Sequence, residues 1–251
     1  MFPNLLILGG TTEATALCRA VAGAGLNGTV SLAGRVARPA AQPLPCRIGG
    51  FGGVSGLISY LRETGITHVV DATHPFAAQM STNAISACKV AGVPLIALTR
   101  APWTEGPGDR WIRVPDIAGA VAALDRPPAR IMLAVGRMHL EEFAVHPQHA
   151  YLLRVVDPPR TSLPFPDHRL IVDRGPFTEQ GDLALMRAHG TDLVVSKNAG
   201  GTGASAKILA ARRLGLPVVM IERPRLPPRA EAHSAGEVLE WLVHAGTERG
   251  V

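Results

Sequence analysis

Lysine is nearly missing from this chain. Only Lys89, Lys197 and Lys207 occur in 251 residues, yet the net charge is +5, so arginine carries almost all the positive charge. There is no Lys/Arg block, no aromatic stacking run and no zinc-ligand spacing, which argues against nucleic acid as the partner. Cysteine is limited to Cys18, Cys46 and Cys88, an odd number with no CxxC pair. That excludes a disulfide framework and reads as buried thiols in a reducing cytosol. No apolar run is long enough to span a bilayer. Leu5–Leu8 is short, lacks a basic flank and runs into Gly9-Gly10, so it reads as a first core strand rather than a signal peptide. The expectation is a cytoplasmic protein without a membrane or metal partner. The only tyrosines, Tyr60 and Tyr151, are followed at Tyr-x-x-x-Lys spacing by Thr64 and Val155. That disfavours a short-chain dehydrogenase or nucleotide-sugar epimerase.

Aromatic residues make up 4% of the chain, so Ala, Leu, Val and Ile must fill a core drawn from 47% hydrophobic content. With 27 Gly and 21 Pro, this is the composition of short strands and helices joined by tight turns. Apolar periodicity alternates between the two kinds of element. Asn4–Leu8, Thr29–Ala33, His68–Asp71 and Pro94–Leu98 read as strands. Ala14, Leu17, Cys18 and Val21, then Val54, Leu57, Ile58 and Leu61, recur at helical spacing. A helix near Ala77–Ala91 completes a β-α-β-α-β series, which calls for a parallel sheet with right-handed crossovers. The pattern loosens from Arg100 to Pro115, where a domain boundary is expected. A second series follows. It has strands at Arg130–Val135, Tyr151–Val155, Arg169–Val172, Asp192–Ser196 and Pro217–Ile221. Its helices lie near Met138–Ala144, Glu179–Ala188 and Ala204–Leu214, and a final helix opens with a capping box at Ser234–Glu237. Proline-rich Asp157–Asp167 stands apart as an irregular flap. The fold class is therefore α/β, with two Rossmann-like domains on parallel sheets, residues 1–112 and 113–251.

Two glycine-rich turns compete as the nucleotide site. Gly9-Gly10-Thr11-Thr12-Glu13 joins the first strand to a helix, where bare backbone and unpaired N–H groups suit a pyrophosphate. Glu13 sets a negative charge nearby, unless it reaches back to the Gly10 amide as a capping residue. An ordinary tight turn would look the same. The second strand ends in Leu32-Ala33-Gly34-Arg35, with Arg38 following. An acidic residue there would select NAD, whereas Arg35 suits the extra phosphate of NADP. The rival is Gly201-Thr202-Gly203-Ala204-Ser205-Ala206, which does fit G-x-G-x-x-A and has Glu222 about 20 residues on. Its lead-in, Lys197–Gly200, is long for a tight turn, and pattern alone does not decide between the loops. His74, in Asp71-Ala72-Thr73-His74-Pro75-Phe76, is a candidate proton donor, or an incidental residue of a capping loop. Arg100, Arg137, Arg154 and Arg223 lie at or beyond strand ends, the ligand edge of an open parallel sheet.

Taken in order, GGTTEA (Gly9–Ala14), GGFGG (Gly49–Gly53), DATHPFA (Asp71–Ala77), R-x-x-W (Arg100–Trp103), GR-x-x-L-x-x-F (Gly136–Phe143), GPF (Gly175–Phe177), K-N-x-GG-x-G-x-x-x-K (Lys197–Lys207) and I-x-RP (Ile221–Pro224) resemble the precorrin-6A reductase family. The resemblance runs nearly the whole chain. It implies an NADPH-dependent oxidoreductase of cobalamin (vitamin B12) biosynthesis that reduces one double bond, of CH-CH type, in the precorrin macrocycle. The first domain would hold NADP through Gly9, Gly10, Thr11, Thr12, Glu13, Arg35 and Gly53. The second would contribute the site for the anionic tetrapyrrole. Arg100, Arg137, Arg154, Lys197 and Lys207 would meet its carboxylates, with His74 closer to the reacting edge. No metal is implied. A transient contact with the next pathway enzyme would fit such a reaction. The alternative from another class is a non-catalytic sensor that binds NADP, or a tetrapyrrole carrier, on the same scaffold.

Overall fold

The computed structural model describes residues 3–34, 41–159, 161–173 and 175–247. In chain order the elements are β1 (Asn4–Leu8), α1 (Thr12–Gly23), β2 (Asn27–Leu32), β3 (Cys46–Ile48), α2 (Gly53–Glu63), β4 (His68–Asp71), α3 (Ala78–Ala91) and β5 (Leu95–Leu98). Then follow β6 (Trp111–Val114), α4 (Ile117–Ala122), β7 (Arg130–Ala134), β8 (Ala150–Val155), β9 (His168–Val172), α5 (Glu179–His189) and β10 (Leu193–Lys197). The last are α6 (Ala206–Leu214), β11 (Val218–Ile221), β12 (Ala230–Ala232) and α7 (Ala235–Thr247).

The chain forms two compact units, one of residues 1–100 with 225–251 and the other of residues 101–224. This differs from the expected division at residue 112. Trp111 is already in a strand of the second unit, paired with Val218. The C-terminal segment belongs to the first unit because β12 lies beside β5, with Ala230 opposite Ile96 and Ala232 opposite Leu98. Val238 and Leu242 of α7 join the same core as Leu17 and Val21. Sequence periodicity had no purchase on β12. Ala-Glu-Ala has no strand propensity, and only its neighbour makes it a strand.

The first sheet has six parallel strands in the order β12-β5-β4-β1-β2-β3. Its inner strands β1, β2, β4 and β5 are buried on both faces, as a parallel sheet between helices requires. Alternate residues of β1 serve opposite layers: Leu5 and Ile7 pack with α1 and α7 residues, Leu6 and Leu8 with Leu57, Leu61, Ala84 and Ala87 of α2 and α3. The second sheet repeats the plan with β9-β8-β7-β10-β11-β6, again parallel. Numbered in chain order the first sheet reads 3-2-1-4-5-6, the doubly wound dinucleotide-binding order, and the second takes the same arrangement when counting starts at β7 and β6 fills the sixth place. In the first the sixth strand comes from the far end of the chain; in the second it precedes the other five.

The helix expected over Met138–Ala144 is instead two short 3-10 turns, Arg137–His139 and Glu141–Val145. The Tyr151 hydroxyl donates to the carbonyls of Phe143 and His146, taking acceptors a continuing helix would use. The capping box at Ser234 forms, with Ser234 Oγ accepting from the Glu237 amide at 3.2 Å. Its return arm goes to the His233 amide rather than that of Ser234. Cys18 and Cys88 are buried, but Cys46 is exposed on the edge strand β3, so only two of the three are core thiols.

Candidate functional site

In a 3-2-1-4-5-6 sheet the strand order reverses between strands 1 and 4, and ligands bind at the crevice this opens beyond the C-terminal strand ends. In the first unit that point lies between β1 and β4, which pair from Leu5–His68 to Leu8–Asp71. The Gly9-Gly10 turn leaves β1 there. Gly9 is required by packing, since a Cβ would lie 2.9 Å from Val30 Cγ2. Gly10 has φ +119, and a Cβ on it would meet no protein atom within 4 Å, so its open side faces room that a ligand can fill. Thr11 caps α1, its Oγ1 accepting from the Ala14 amide at 3.1 Å and donating to the Ala72 carbonyl at 2.8 Å. One hydroxyl thus ties the start of α1 to the exit of β4. Thr11, Glu13, Thr73, Pro75, Leu98, Thr99 and Arg100 line a shallow cleft at this point.

Glu13 does not cap the Gly10 amide. Its carboxylate takes Arg100 Nη1 at 3.0 and 2.9 Å and Thr12 Oγ1 at 3.1 Å. Burial pushes the carboxyl up, but its own backbone amide and Arg100 outweigh this and hold it below the usual range. At the β4 exit, Asp71 Oδ1 accepts from the Thr73 amide at 3.2 Å and from Thr73 Oγ1 at 2.7 Å, while Oδ2 pairs with Arg229. His74 is exposed in the next turn, its Nδ1 accepting from the Phe76 amide at 3.2 Å. Of the other expected coenzyme residues, Gly53 opens α2 with φ +83, directly after the left-handed Gly52. Arg35 and Arg38 lie outside the described residues.

Two side chains that shape this edge were not picked out from the sequence. Arg47 of β3 donates to Ser31 Oγ (2.8 Å), the Gly49 carbonyl (3.0 Å) and the Gly50 carbonyl (2.9 Å), and stacks 3.9 Å from the Phe51 ring centre. It organises the GGFGG turn, and its signal was an arginine immediately before a glycine–aromatic cluster. Arg229, 158 residues from its partner Asp71, left no local signal.

The second unit has its own switch point between β7 and β10, where Ala134 lies opposite Ser196. Gly136 (φ +81) and exposed Arg137 leave β7; Lys197 ends β10. The expected substrate residues separate here. Arg137 and Lys197 flank the crevice. Arg154 is in a buried ion pair with Asp182, and its guanidinium covers the Phe177 ring at 3.6 Å. Lys207 is 5% exposed; its Nζ donates to the Ala204 carbonyl at 2.7 Å and lies 5.0 Å from the Trp103 ring centre. Arg154 and Lys207 are thus each engaged by groups inside the unit.

The Lys197–Gly203 loop is fastened by side chains rather than left open for a pyrophosphate. Buried Asn198 brackets Trp103, accepting from its amide at 2.8 Å and donating to its carbonyl at 3.0 Å. Trp103 Nε1 donates to the Gly201 carbonyl at 2.7 Å, and Arg223 donates to the carbonyls of Asn198 and Ala199. A Cβ on Gly200 would sit 2.1 Å from the Ala101 carbonyl oxygen, so this glycine answers to packing. The loop also follows strand 4 of its sheet, whereas the dinucleotide turn follows strand 1.

Burial raises the Cys18 thiol to about 11 and the Cys88 thiol to about 12, which disqualifies both as nucleophiles. Among the described residues no group of three or more His, Cys, Asp or Glu could hold a metal ion, and no helix is long and apolar enough to cross a membrane.

Two parallel sheets in dinucleotide-binding order, the first with a bare glycine turn at its switch point, define an α/β protein of the Rossmann type. Residues 4–243 match the family described as precorrin-6x reductase CbiJ/CobK, and the chain belongs to that family. It is 57% identical to the precorrin-6A reductase of Rhodobacter capsulatus, over 99% of each chain. It is 46% identical to that of a Sinorhizobium species, over 96% and 93%. Identity to the cobalt-precorrin-6A reductase of Priestia megaterium is 30%, over 96% and 97%. A solved CobK precorrin-6A reductase is 56% identical and superposes with a TM-score of 0.94, covering 98% of each chain.

Proposed function

We propose that the protein reduces precorrin-6A with NADPH, adding a hydride and a proton across one double bond of the macrocycle. The observation that carries this reading is the Gly9-Gly10 turn at the switch point of the first sheet, in a chain 57% identical to a precorrin-6A reductase. Relatives bearing the metal-free substrate's name are 43–57% identical and those bearing the cobalt form's name 28–33%, which supports the metal-free macrocycle as substrate. The first unit fits a dinucleotide: Gly10 leaves space for a phosphate, and the turn opens helix α1, whose N-terminus favours an anion. When bound, NADPH supplies the hydride.

The chain's own part is to orient and to hold. Gly9, Gly10 and Thr11 fix where the pyrophosphate can lie, Thr12 and the GGFGG turn flank it, and Arg35 meets the ribose phosphate. Arg137 and Lys197, beside the second switch point, take substrate carboxylates; a charge-assisted contact of this kind is worth roughly 1.5–3 kcal/mol. His74 delivers the proton from the β4 exit. A cytosolic setting accords with the unpaired thiols of Cys18 and Cys88.

The test is direct: purified protein, precorrin-6A and either NADPH or NADH. Loss of reduced coenzyme in step with a change in the tetrapyrrole spectrum, faster with NADPH, supports the reading. NADP binding without turnover would instead indicate a sensor or carrier. Arg35→Glu should raise KM for NADPH and narrow its advantage over NADH; an unchanged preference would remove Arg35 from the site.

A further inference from the structure

Glu13 stands where electrostatics argue against it. It is the second residue of α1, in the turn that would receive a doubly charged pyrophosphate, and like charges sharing a cleft oppose binding. The structure meets this with Arg100, which follows β5 and reaches back across 87 residues to set Nη1 at 3.0 and 2.9 Å from the two carboxylate oxygens. Both side chains are largely withdrawn from solvent, at 17% and 27% exposure, and both line the cleft with Thr11 and Thr73. Arg100 was expected to hold a substrate carboxylate, but its geometry joins it to the coenzyme side of the molecule.

We propose that Arg100 is a positioning residue of the coenzyme site, cancelling the Glu13 charge so that the pyrophosphate can enter, while Glu13 in turn fixes where the guanidinium sits. The inference rests on the coenzyme reading of the Gly9-Gly10 turn. It has a consequence that a substrate contact would not have. Removing Arg100 leaves an uncompensated carboxylate facing the phosphates, so neutralising Glu13 as well must restore binding.

The experiment measures the NADP⁺ dissociation constant calorimetrically for full-length wild type, Arg100→Met, Glu13→Gln, the double variant and Arg100→Lys, with the KM for precorrin-6A alongside. Arg100→Met should weaken NADP⁺ about ten- to a hundredfold, the repulsion of the pyrophosphate by one carboxylate left without its cation. The double variant should regain at least about tenfold of that. Arg100→Lys, which keeps the charge, should stay within about threefold of wild type, and its folding provides a reference if the Met variant is unstable. KM for precorrin-6A should move less than about threefold throughout. The proposal is overturned if Arg100→Met binds NADP⁺ like wild type, if the double variant is no better, if Arg100→Lys is as weak as Arg100→Met, or if the change falls on precorrin-6A. A Gly10→Val variant separates the two failures. If it binds NADP⁺ as wild type does, the coenzyme site is elsewhere and the pair's role falls with it. If it loses binding while the double variant shows no rescue, the pair alone is refuted.

Discussion

The Asp71–Arg229 ion pair gives the sharpest test of how the first unit is held together. Asp71 is 1% exposed and Arg229 11%, so this is a buried pair, with the other carboxylate oxygen satisfied by Thr73. Arg229 directly precedes β12 and therefore anchors the sixth strand to the exit of the fourth. Replacing it with Met keeps the apolar stem but leaves a carboxylate in the core without its cation. Breaking a buried pair in this way costs about 3–5 kcal/mol. At roughly 2–4 °C per kcal/mol for a chain of this size, the first unit's melting transition should fall by about 6–20 °C. Asp71→Asn/Arg229→Met should cost clearly less than Arg229→Met alone, because the stranded charge goes with it. Calorimetry, which resolves two transitions if the units melt separately, is the assay. An Arg229→Met transition within about 2 °C of wild type would refute the reasoning and would mean that water or another group compensates Asp71.

Three further outcomes are expected. His74→Asn retains an acceptor for the Phe76 amide but cannot carry a proton; it should lower kcat at least about tenfold, since general acids contribute around 10²–10⁴, and wild-type turnover would make the imidazole a loop cap only. Lys207→Met should leave KM for precorrin-6A within about twofold of wild type while lowering thermal stability, because the ammonium bonds the Ala204 carbonyl beside Trp103; Lys197→Met should instead raise that KM about tenfold or more. Burial first, and Arg130 second, hold the His189 imidazole below its ordinary 6.5. The unfolded chain therefore takes the proton first, and stability conferred by the neutral ring is lost as pH falls below about 6.5. Urea titrations at about pH 7.5 and 5.5 should show this loss in the wild type and a smaller one in His189→Gln; equal losses would exclude His189 as the source.

Most of the fold was legible because buried parallel strands and one-faced helices leave long local patterns. Leu5–Leu8, Val69–Val70 and the Leu57–Leu61 stripe carry their burial in their composition. What escaped was whatever depends on a distant neighbour. β3, β6 and β12 have only three or four residues each and lie toward or at sheet edges, where pairing rather than periodicity makes a strand. The site divided along the same line. Glycines at strand ends could be read, because a positive φ or a bare surface restricts the residue type. The fate of each arginine could not, because a guanidinium at a strand end looks the same in sequence whether it faces a ligand, a buried aspartate or a glutamate across the cleft. Arg154 met the second of these and Arg100 the third, while Arg137 is exposed beyond the end of β7.

In the two glycine loops topology and motif point in different directions. Gly201–Ala206 fits G-x-G-x-x-A and Gly9–Glu13 does not, so counting matches points to the second unit, whereas the strand order supports the turn after β1. The fingerprint acts only when its turn leaves strand 1 at the reversal of strand order, where helix amides and open space coincide. Gly9-Gly10 leaves strand 1 of its sheet; Gly201 follows strand 4 of the other. Packing fixes one glycine in each loop, Gly9 against Val30 and Gly200 against Ala101, while Gly10 and Gly203 both have open space beside them. At Gly200 a side chain is barred by Ala101 and Arg223, so that glycine serves the chain's own packing. At Gly10 no protein atom bars it. The positive φ there favours glycine, and the space beside it is open to something the chain does not supply.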